Sequence, residues 1–215
     1  MGGTLGVLVA GGAGARLGAG SPKALVALGG MTLLERTART LASVCDELVV
    51  AAPAALALAL PTSLRTRTGG TPRRIDDRPG ARGPLAGMVA GLSASPFERA
   101  VVLGVDFPFM EPAFLEAMLE RLDAGPSAPR AVVPAPGGIA QPLAAAYAPL
   151  TVAILAARHA EGEAAPSRGL AWLTVRWLGD AELERMPGGP SCLFNLNTPE
   201  QLDEAGRRMA ARVAR

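Results

Sequence analysis

Lysine is almost absent from this chain of 215 residues: of its 21 Lys and Arg residues, all but Lys23 are arginine. Asparagine occurs only at Asn195 and Asn197, histidine only at His159, tyrosine only at Tyr147, and cysteine only at Cys45 and Cys192. Each shortage excludes a class of chemistry. Two cysteines cannot frame a small disulfide scaffold, which points to a reduced, intracellular setting. One histidine leaves no His/Cys cluster for a metal and no partner set for a Ser/His/Asp or Cys/His nucleophile. His159, near the end of a helical pattern, reads as a cation favoured by the helix dipole. Charged residues make up 19% with a formal net charge of +2, and no basic run with interleaved aromatics offers a nucleic-acid surface. The longest apolar stretch, Leu48 to Leu60, contains Pro53 and is too short to span a bilayer, so no membrane partner is expected. The first basic residue is Arg16, too late for a secretory signal, so the expected location is the cytoplasm.

What is abundant points to a folded α/β chain. Hydrophobic residues reach 49%, too many for disorder, and 26 Gly with 19 Pro predict long functional loops rather than low complexity. Short apolar runs alternate with helical patterns, the mark of a mostly parallel sheet covered on both faces. Strands are expected at Thr4–Ala10, Leu48–Ala52, Ala100–Val105, Ala131–Val133 and Pro142–Tyr147, with one or two short edge strands between Leu64 and Ile75. Helices are expected from Thr32 to Val44, with Glu35 as capping-box partner, and at Pro53–Leu60, from Pro84, at Pro112–Leu122, at Leu150–His159 and at Pro199–Arg212 with Thr198 as N-cap. Trp172, Trp177 and the methionines read as core. No repeat or linker divides the chain, and residues 1–215 are read as a single domain.

Four segments carry chemistry. Ala10-Gly11-Gly12-Ala13-Gly14-Ala15-Arg16-Leu17-Gly18, followed by Ser21-Pro22-Lys23, is a glycine-rich turn leaving the first strand, where bare backbone approaches a phosphate or a base edge. The dinucleotide fingerprint fails, because Leu17 stands at its third glycine and Ala51-Ala52 end the second strand where an acid is needed. The Walker A pattern fails too, with Pro22 before Lys23 and Ala24 after it. Either the loop is an ordinary turn with solvated cations, or Arg16 and Lys23 flank a triphosphate. A chain that uses lysine only here favours the second reading, since a compact ammonium against phosphate oxygens is what a planar guanidinium does not replace.

Asp106, in Val105-Asp106-Phe107-Pro108-Phe109, ends a buried strand, where open α/β sheets bind ligands; it either holds Mg²⁺ or caps the helix near Pro112. Ile75-Asp76-Asp77 followed by Gly83-Pro84-Leu85-Ala86-Gly87 pairs two acids with a helix start whose free N–H groups would face a nucleotide; the acids are otherwise simply solvated. Phe194-Asn195-Leu196-Asn197-Thr198-Pro199-Glu200 points both asparagine amides to one side of an extended segment, for a shared role or for turn and cap duty. Gln141-Pro142-Leu143, with Tyr147 after it, is a candidate for the same surface.

Together these segments resemble the molybdenum cofactor guanylyltransferases, within the larger group of sugar-nucleotide-type nucleotidyltransferases, in order and over nearly the whole chain. The resemblance implies an α/β/α three-layer sandwich with a mostly parallel, Rossmann-like sheet of the nucleotide-diphospho-sugar transferase type. It implies transfer of GMP from Mg·GTP to the terminal phosphate of molybdopterin with release of pyrophosphate. Val9, Ala10, Gly11 and Gly12 would hold the nucleotide, Lys23 with Arg16 its phosphates, Asp76 the guanosine and Asp106 the Mg²⁺ cofactor. Asn195, Asn197 and Gln141 would face the pterin. Partners implied are GTP, molybdopterin, other molybdenum cofactor biosynthesis proteins and recipient molybdoenzymes. Ser21-Pro22 and Ala51 depart from the family pattern, the latter where some members carry a nucleotide-binding asparagine. The alternatives are a cytidylyltransferase, a sugar-phosphate nucleotidyltransferase or a noncatalytic nucleotide-binding regulator.

Overall fold

The computed structural model describes residues 3–11, 22–56, 58–76, 83–123 and 129–213. Strand β1 (Thr4–Val9) is buried along its whole length, as an unbroken apolar run must be when both faces of a sheet are covered. A small hairpin of β2 (Ala27–Leu28) and β3 (Met31–Thr32) turns through Gly29 and Gly30, both at positive φ, and leads into α1 (Leu33–Val44). The Thr32 hydroxyl accepts the Glu35 N–H at 3.1 Å, so the expected cap is present. There follow β4 (Glu47–Ala52), β5 (Arg73–Asp76), α2 (Pro84–Leu92), β6 (Arg99–Gly104), α3 (Pro112–Leu122), β7 (Ala131–Pro134) and β8 (Ala144–Tyr147). The chain then forms α4 (Thr151–Ala160), α5 (Pro166–Gly169), β9 (Val175–Leu178), α6 (Asp180–Leu183) and α7 (Pro199–Val213).

Seven strands make one sheet in the order β5-β4-β1-β6-β8-β7-β9, parallel throughout except for β8, which runs against both its neighbours. The expected three-layer, mostly parallel sandwich is therefore the fold. Helices α1, α3 and α7 cover one face, over a core that includes Leu33, Leu41, Phe114 and Met118. Helices α2 and α4 cover the other, over Val7, Leu85, Met88 and Leu155. Close approach of α2 to β1 depends on Gly91, where a Cβ would lie 2.2 Å from Val7 Cγ1. Register pairs Val9 with both Ala51 and Gly104, so the carboxyl ends of β4, β1 and β6 finish level. Because β8 is antiparallel, its start at Ala144, beside Leu103, reaches the same edge.

Several expectations need correction. Of the described residues in 53–60, 54–56 form a turn and bend and 58–60 no regular element, rather than a helix; Leu56, Leu58 and Leu60 all lean on the core, a spacing of two that an extended chain satisfies and a helix does not. Strand β9 and the β2–β3 hairpin were not expected, being too short to show periodicity. Trp172 and Trp177 are not core: they are 61% and 49% exposed, and the Arg158 guanidinium lies 4.4 Å over the Trp172 ring. Met88, Met110, Met118 and Met186 are buried as expected, whereas Met31 and Met209 are half-buried. No helix among the described residues is long and apolar enough to cross a membrane.

Candidate functional site

Lys23 opens a single 3-10 turn, Lys23–Leu25, closed by Leu25 N–H to Pro22 C=O at 2.9 Å and Val26 N–H to Lys23 C=O at 3.1 Å. Ala24 is fully buried, which anchors the turn and leaves Lys23 only 8% exposed. Its Nζ donates to Asn197 Oδ1 at 2.6 Å and to Asp106 Oδ2 at 3.3 Å. These two acceptors use two of the three ammonium donors, and among the described residues the third has no partner.

Asp106 lies in a pair of turns that follow β6, flanked by buried Val105 and Phe107. It does not cap α3, whose N-cap is Glu111, so the capping alternative is removed. The end of β6 is built around Gly104, where a Cβ would sit 2.2 Å from Asp106 Oδ1. Asp106 C=O accepts Leu196 N–H at 2.9 Å, which ties this loop to the Asn195–Thr198 segment. A second tie runs through aromatic rings: Phe109 meets Phe194 edge to face at 5.5 Å, and the Arg208 guanidinium of α7 lies 4.4 Å over Phe194.

The two asparagines act on each other. Asn197 Nδ2 donates to Asn195 Oδ1 at 2.5 Å while its own Oδ1 faces the ammonium. Lysine cannot accept, so the orientation of the Asn197 amide is dictated by its partner. Sequence reasoning passed over Gln201, whose Oε1 accepts Asn197 N–H at 2.6 Å and Thr198 N–H at 3.0 Å. Thr198 Oγ1 accepts Gln201 N–H at 3.3 Å in return. The Thr-x-x-Gln spacing of a capping box was the available signal.

The other expected residues are spread along the same sheet edge. Val9 ends β1 and Ala10 follows it, but their backbone groups are partly engaged: Val9 C=O accepts Val105 N–H at 3.3 Å and Ala10 N–H donates to Ala51 C=O at 2.8 Å. Gly11 is exposed just beyond them. Asp76 ends β5, two strands from β1 and so roughly 10 Å to its side. It is exposed and paired with Arg74 at 3.0 Å, apart from the Lys23–Asp106 cluster. Gln141 is half-buried and its N–H donates to Pro134 C=O at 2.8 Å; two residues on, Leu143 C=O accepts Gly104 N–H at 2.7 Å, which sets this loop beside Asp106. Tyr147 does not share that surface. It is fully buried, and its hydroxyl reaches up to Pro142 C=O at 2.7 Å. Nor does α2 offer its first N–H groups freely: Leu85 N–H is bonded to Ala164 C=O at 3.2 Å, and Gly83, at φ 74°, is packed against that carbonyl. Gly12, Arg16 and Asp77 lie outside the described residues.

Neither thiol competes as a nucleophile. Cys45 and Cys192 are both buried, and burial, with a smaller contribution from neighbouring Asp46, pushes the Cys45 thiol up to about 12. What remains is a sheltered cation held between a carboxylate and an amide pair at the carboxyl edge of a parallel sheet, the place where such sheets take ligands.

A family model described as MobA-like NTP transferase domain matches residues 6–174. The probable molybdenum cofactor guanylyltransferase of Natronomonas pharaonis is 33% identical over 214 residues, covering 98% of this chain and 100% of that protein. The molybdenum cofactor guanylyltransferase of Desulfosudis oleivorans is 27% identical over 200 residues, 93% of each chain. Among solved structures, molybdopterin-guanine dinucleotide biosynthesis protein A from Archaeoglobus fulgidus shares the fold with a TM-score of 0.76 at 24% identity, over 96% of this chain and 99% of that one.

Proposed function

The chain belongs to the MobA-like NTP transferase family and is a nucleotidyltransferase, and on that premise we propose that it transfers GMP from Mg·GTP to the terminal phosphate of molybdopterin. The observation that carries this reading is the placement of Lys23 between Asp106 and Asn197. Stability gives little reason for it. Desolvating an ammonium and a carboxylate costs several kcal/mol, which the attraction within a 3.3 Å pair roughly offsets rather than exceeds. A spare donor on a sheltered cation is what a phosphate oxygen requires.

Mg²⁺ takes one or two carboxylates together with substrate phosphates rather than a full protein cage. No group of three or more His, Cys, Asp or Glu forms among the described residues, and Asp106 Oδ1 is the carboxylate oxygen that Lys23 leaves unengaged. It sits in the space that the missing Cβ of Gly104 opens. This donor set fits a phosphate-bound Mg²⁺, with Asp106 as the protein ligand. When bound, the ion supplies charge neutralisation at the triphosphate.

In the proposed reaction an oxygen of the acceptor phosphate attacks the α-phosphorus of GTP. The new P–O bond forms as the bond to the β-phosphate oxygen breaks, and pyrophosphate leaves with that electron pair. The acceptor is already an anion at neutral pH, so the chain needs no nucleophile and no base; alignment and charge carry the step. Lys23 lowers the repulsion between the two phosphates. Val9, Ala10 and Gly11 line the nucleotide side, with Asp76 further out toward the guanosine. Asn195, Asn197 and Gln141 face the pterin side.

Pyrophosphate release with Mg²⁺ and molybdopterin, compared across GTP, ATP, CTP and UTP, tests this reading. Release with GTP is expected. Preference for CTP would overturn the base, release with a sugar phosphate in place of molybdopterin would overturn the acceptor, and no release with any pair would leave a binding protein.

A further inference from the structure

The segment that presents Asn197 to Lys23 is pinned by three successive backbone N–H groups. Leu196 N–H is held by Asp106 C=O at 2.9 Å, and Asn197 and Thr198 N–H are both held by the one side-chain oxygen of Gln201, at 2.6 and 3.0 Å. A capping box needs only the N-cap N–H, here that of Thr198. Gln201 does more: its shorter bond goes to the residue before the cap, the one whose side chain grips the ammonium.

We propose that Gln201 is a positioning residue, which fixes the Asn197 backbone so that Asn197 Oδ1 holds Lys23 Nζ beside Asp106. With the peptides on both sides of its Cα fixed, Asn197 keeps only its two side-chain torsions, and those are set by Lys23 at one end and Asn195 at the other. A carboxamide suits this role because it supplies a two-lone-pair acceptor without a second anion to compete with Asp106 for the ammonium. Glutamine is otherwise found only at Gln141, in a chain with 19 acidic residues. That this positioning serves turnover rests on the nucleotidyl-transfer reading above; that it places Lys23 does not.

Because Lys23 is the only lysine, protein grown on ¹³Cε,¹⁵Nζ-lysine gives one side-chain signal from the ligand-free chain. Gln201→Met is expected to shift that signal and to lower kcat about tenfold, the equivalent of about 1.4 kcal/mol, with the KM for GTP changing much less. Gln201→Glu, which restores the acceptor but adds the competing anion, is expected to return the signal in part. Thr32→Ala, which removes a helix cap at α1, is the control for stability loss alone and is expected to leave both readouts unmoved. Should Gln201→Met not fold, Gln201→Asn, one methylene too short for the Asn197 N–H, carries the same test. A Lys23 signal at the wild-type position in the folded Met or Asn variant would overturn the proposal. A wild-type chain that releases no pyrophosphate would instead overturn the function and leave the signal shift to be read on its own.

Discussion

Lys23 Nζ and Asp106 Oδ2 meet at 3.3 Å across 83 positions of sequence, with side chains only 10% and 19% exposed. The pair joins a turn after the glycine-rich segment to the loop after β6. Its chemistry is asymmetric, since the ammonium also holds Asn197 while the carboxylate keeps Oδ1 unengaged by Lys23.

Lys23→Arg keeps the charge but spreads it over a plane too large for the space between Asp106 and Asn197. Turnover, measured as pyrophosphate release, is expected to fall at least about tenfold, and Asp106→Ala is expected to fall at least as far. Circular dichroism should show both variants folded. Near-normal rates in either would remove the pair from the reaction.

Gly104→Ala tests the carboxylate without removing it. The added Cβ would lie 2.2 Å from Asp106 Oδ1, so the carboxylate must move, whereas Leu143 Cβ at 3.6 Å is in ordinary contact. The expectation is a drop in turnover of about tenfold at low Mg²⁺, relieved in part as Mg²⁺ is raised, with a melting temperature within a few degrees of wild type. A rate independent of Mg²⁺ in both proteins would argue against Asp106 as the ligand.

The central strands were legible because buried parallel strands are continuous apolar runs, as Thr4–Val9 and Arg99–Gly104 show. Lys23, Asp106, Asn195 and Asn197 were legible through scarcity and position. Asp76 was legible only as one of two adjacent acids before a helix start; that it ends β5, two strands from β1, depends on strand order, which no local pattern encodes. The Leu56, Leu58, Leu60 spacing was misread as helical because alanine favours helix while tertiary contacts set the outcome. Trp172 and Trp177 were misread because hydrophobicity alone does not tell an edge from a centre: Trp177 lies on β9, the last strand in the sheet, and Trp172 in the turn before it. Gln201 shows in the sequence only as the last residue of a Thr-x-x-Gln capping box; its shorter bond, to the Asn197 backbone N–H, leaves no mark in the side-chain sequence.

Acid sensitivity is expected to centre on Asp46, at the opposite edge of the sheet. Burial works to raise its pKa, but the Thr4 N–H at 2.8 Å and the Arg67 guanidinium at 2.8 Å outweigh it and hold the carboxyl below its ordinary 3.8. A carboxyl depressed in the folded state contributes stability above its unfolded pKa, and the contribution is lost as pH falls through the folded value. Asp46→Asn should therefore be less stable than wild type at neutral pH, by about 1 to 2 kcal/mol, and the gap should close in acid, as pH falls through the folded value. Denaturant melts at neutral and acid pH decide it; a gap independent of pH would assign the loss to packing.

Tyr147 links the core to the site. Burial drives its hydroxyl pKa upward, so the group is a donor at any working pH, and its hydrogen goes to Pro142 C=O at 2.7 Å. Tyr147→Phe keeps the ring and leaves that carbonyl without its partner, which costs about 1 to 2 kcal/mol and lowers the melting temperature by about 2 to 8 °C. The loop it releases carries Gln141, on the proposed acceptor side, and Leu143, which holds the end of β6. Under the proposed function the KM for molybdopterin should rise more than the KM for GTP. Equal changes in both would mean that Tyr147 supports the fold of this edge without bearing on which substrate the loop meets.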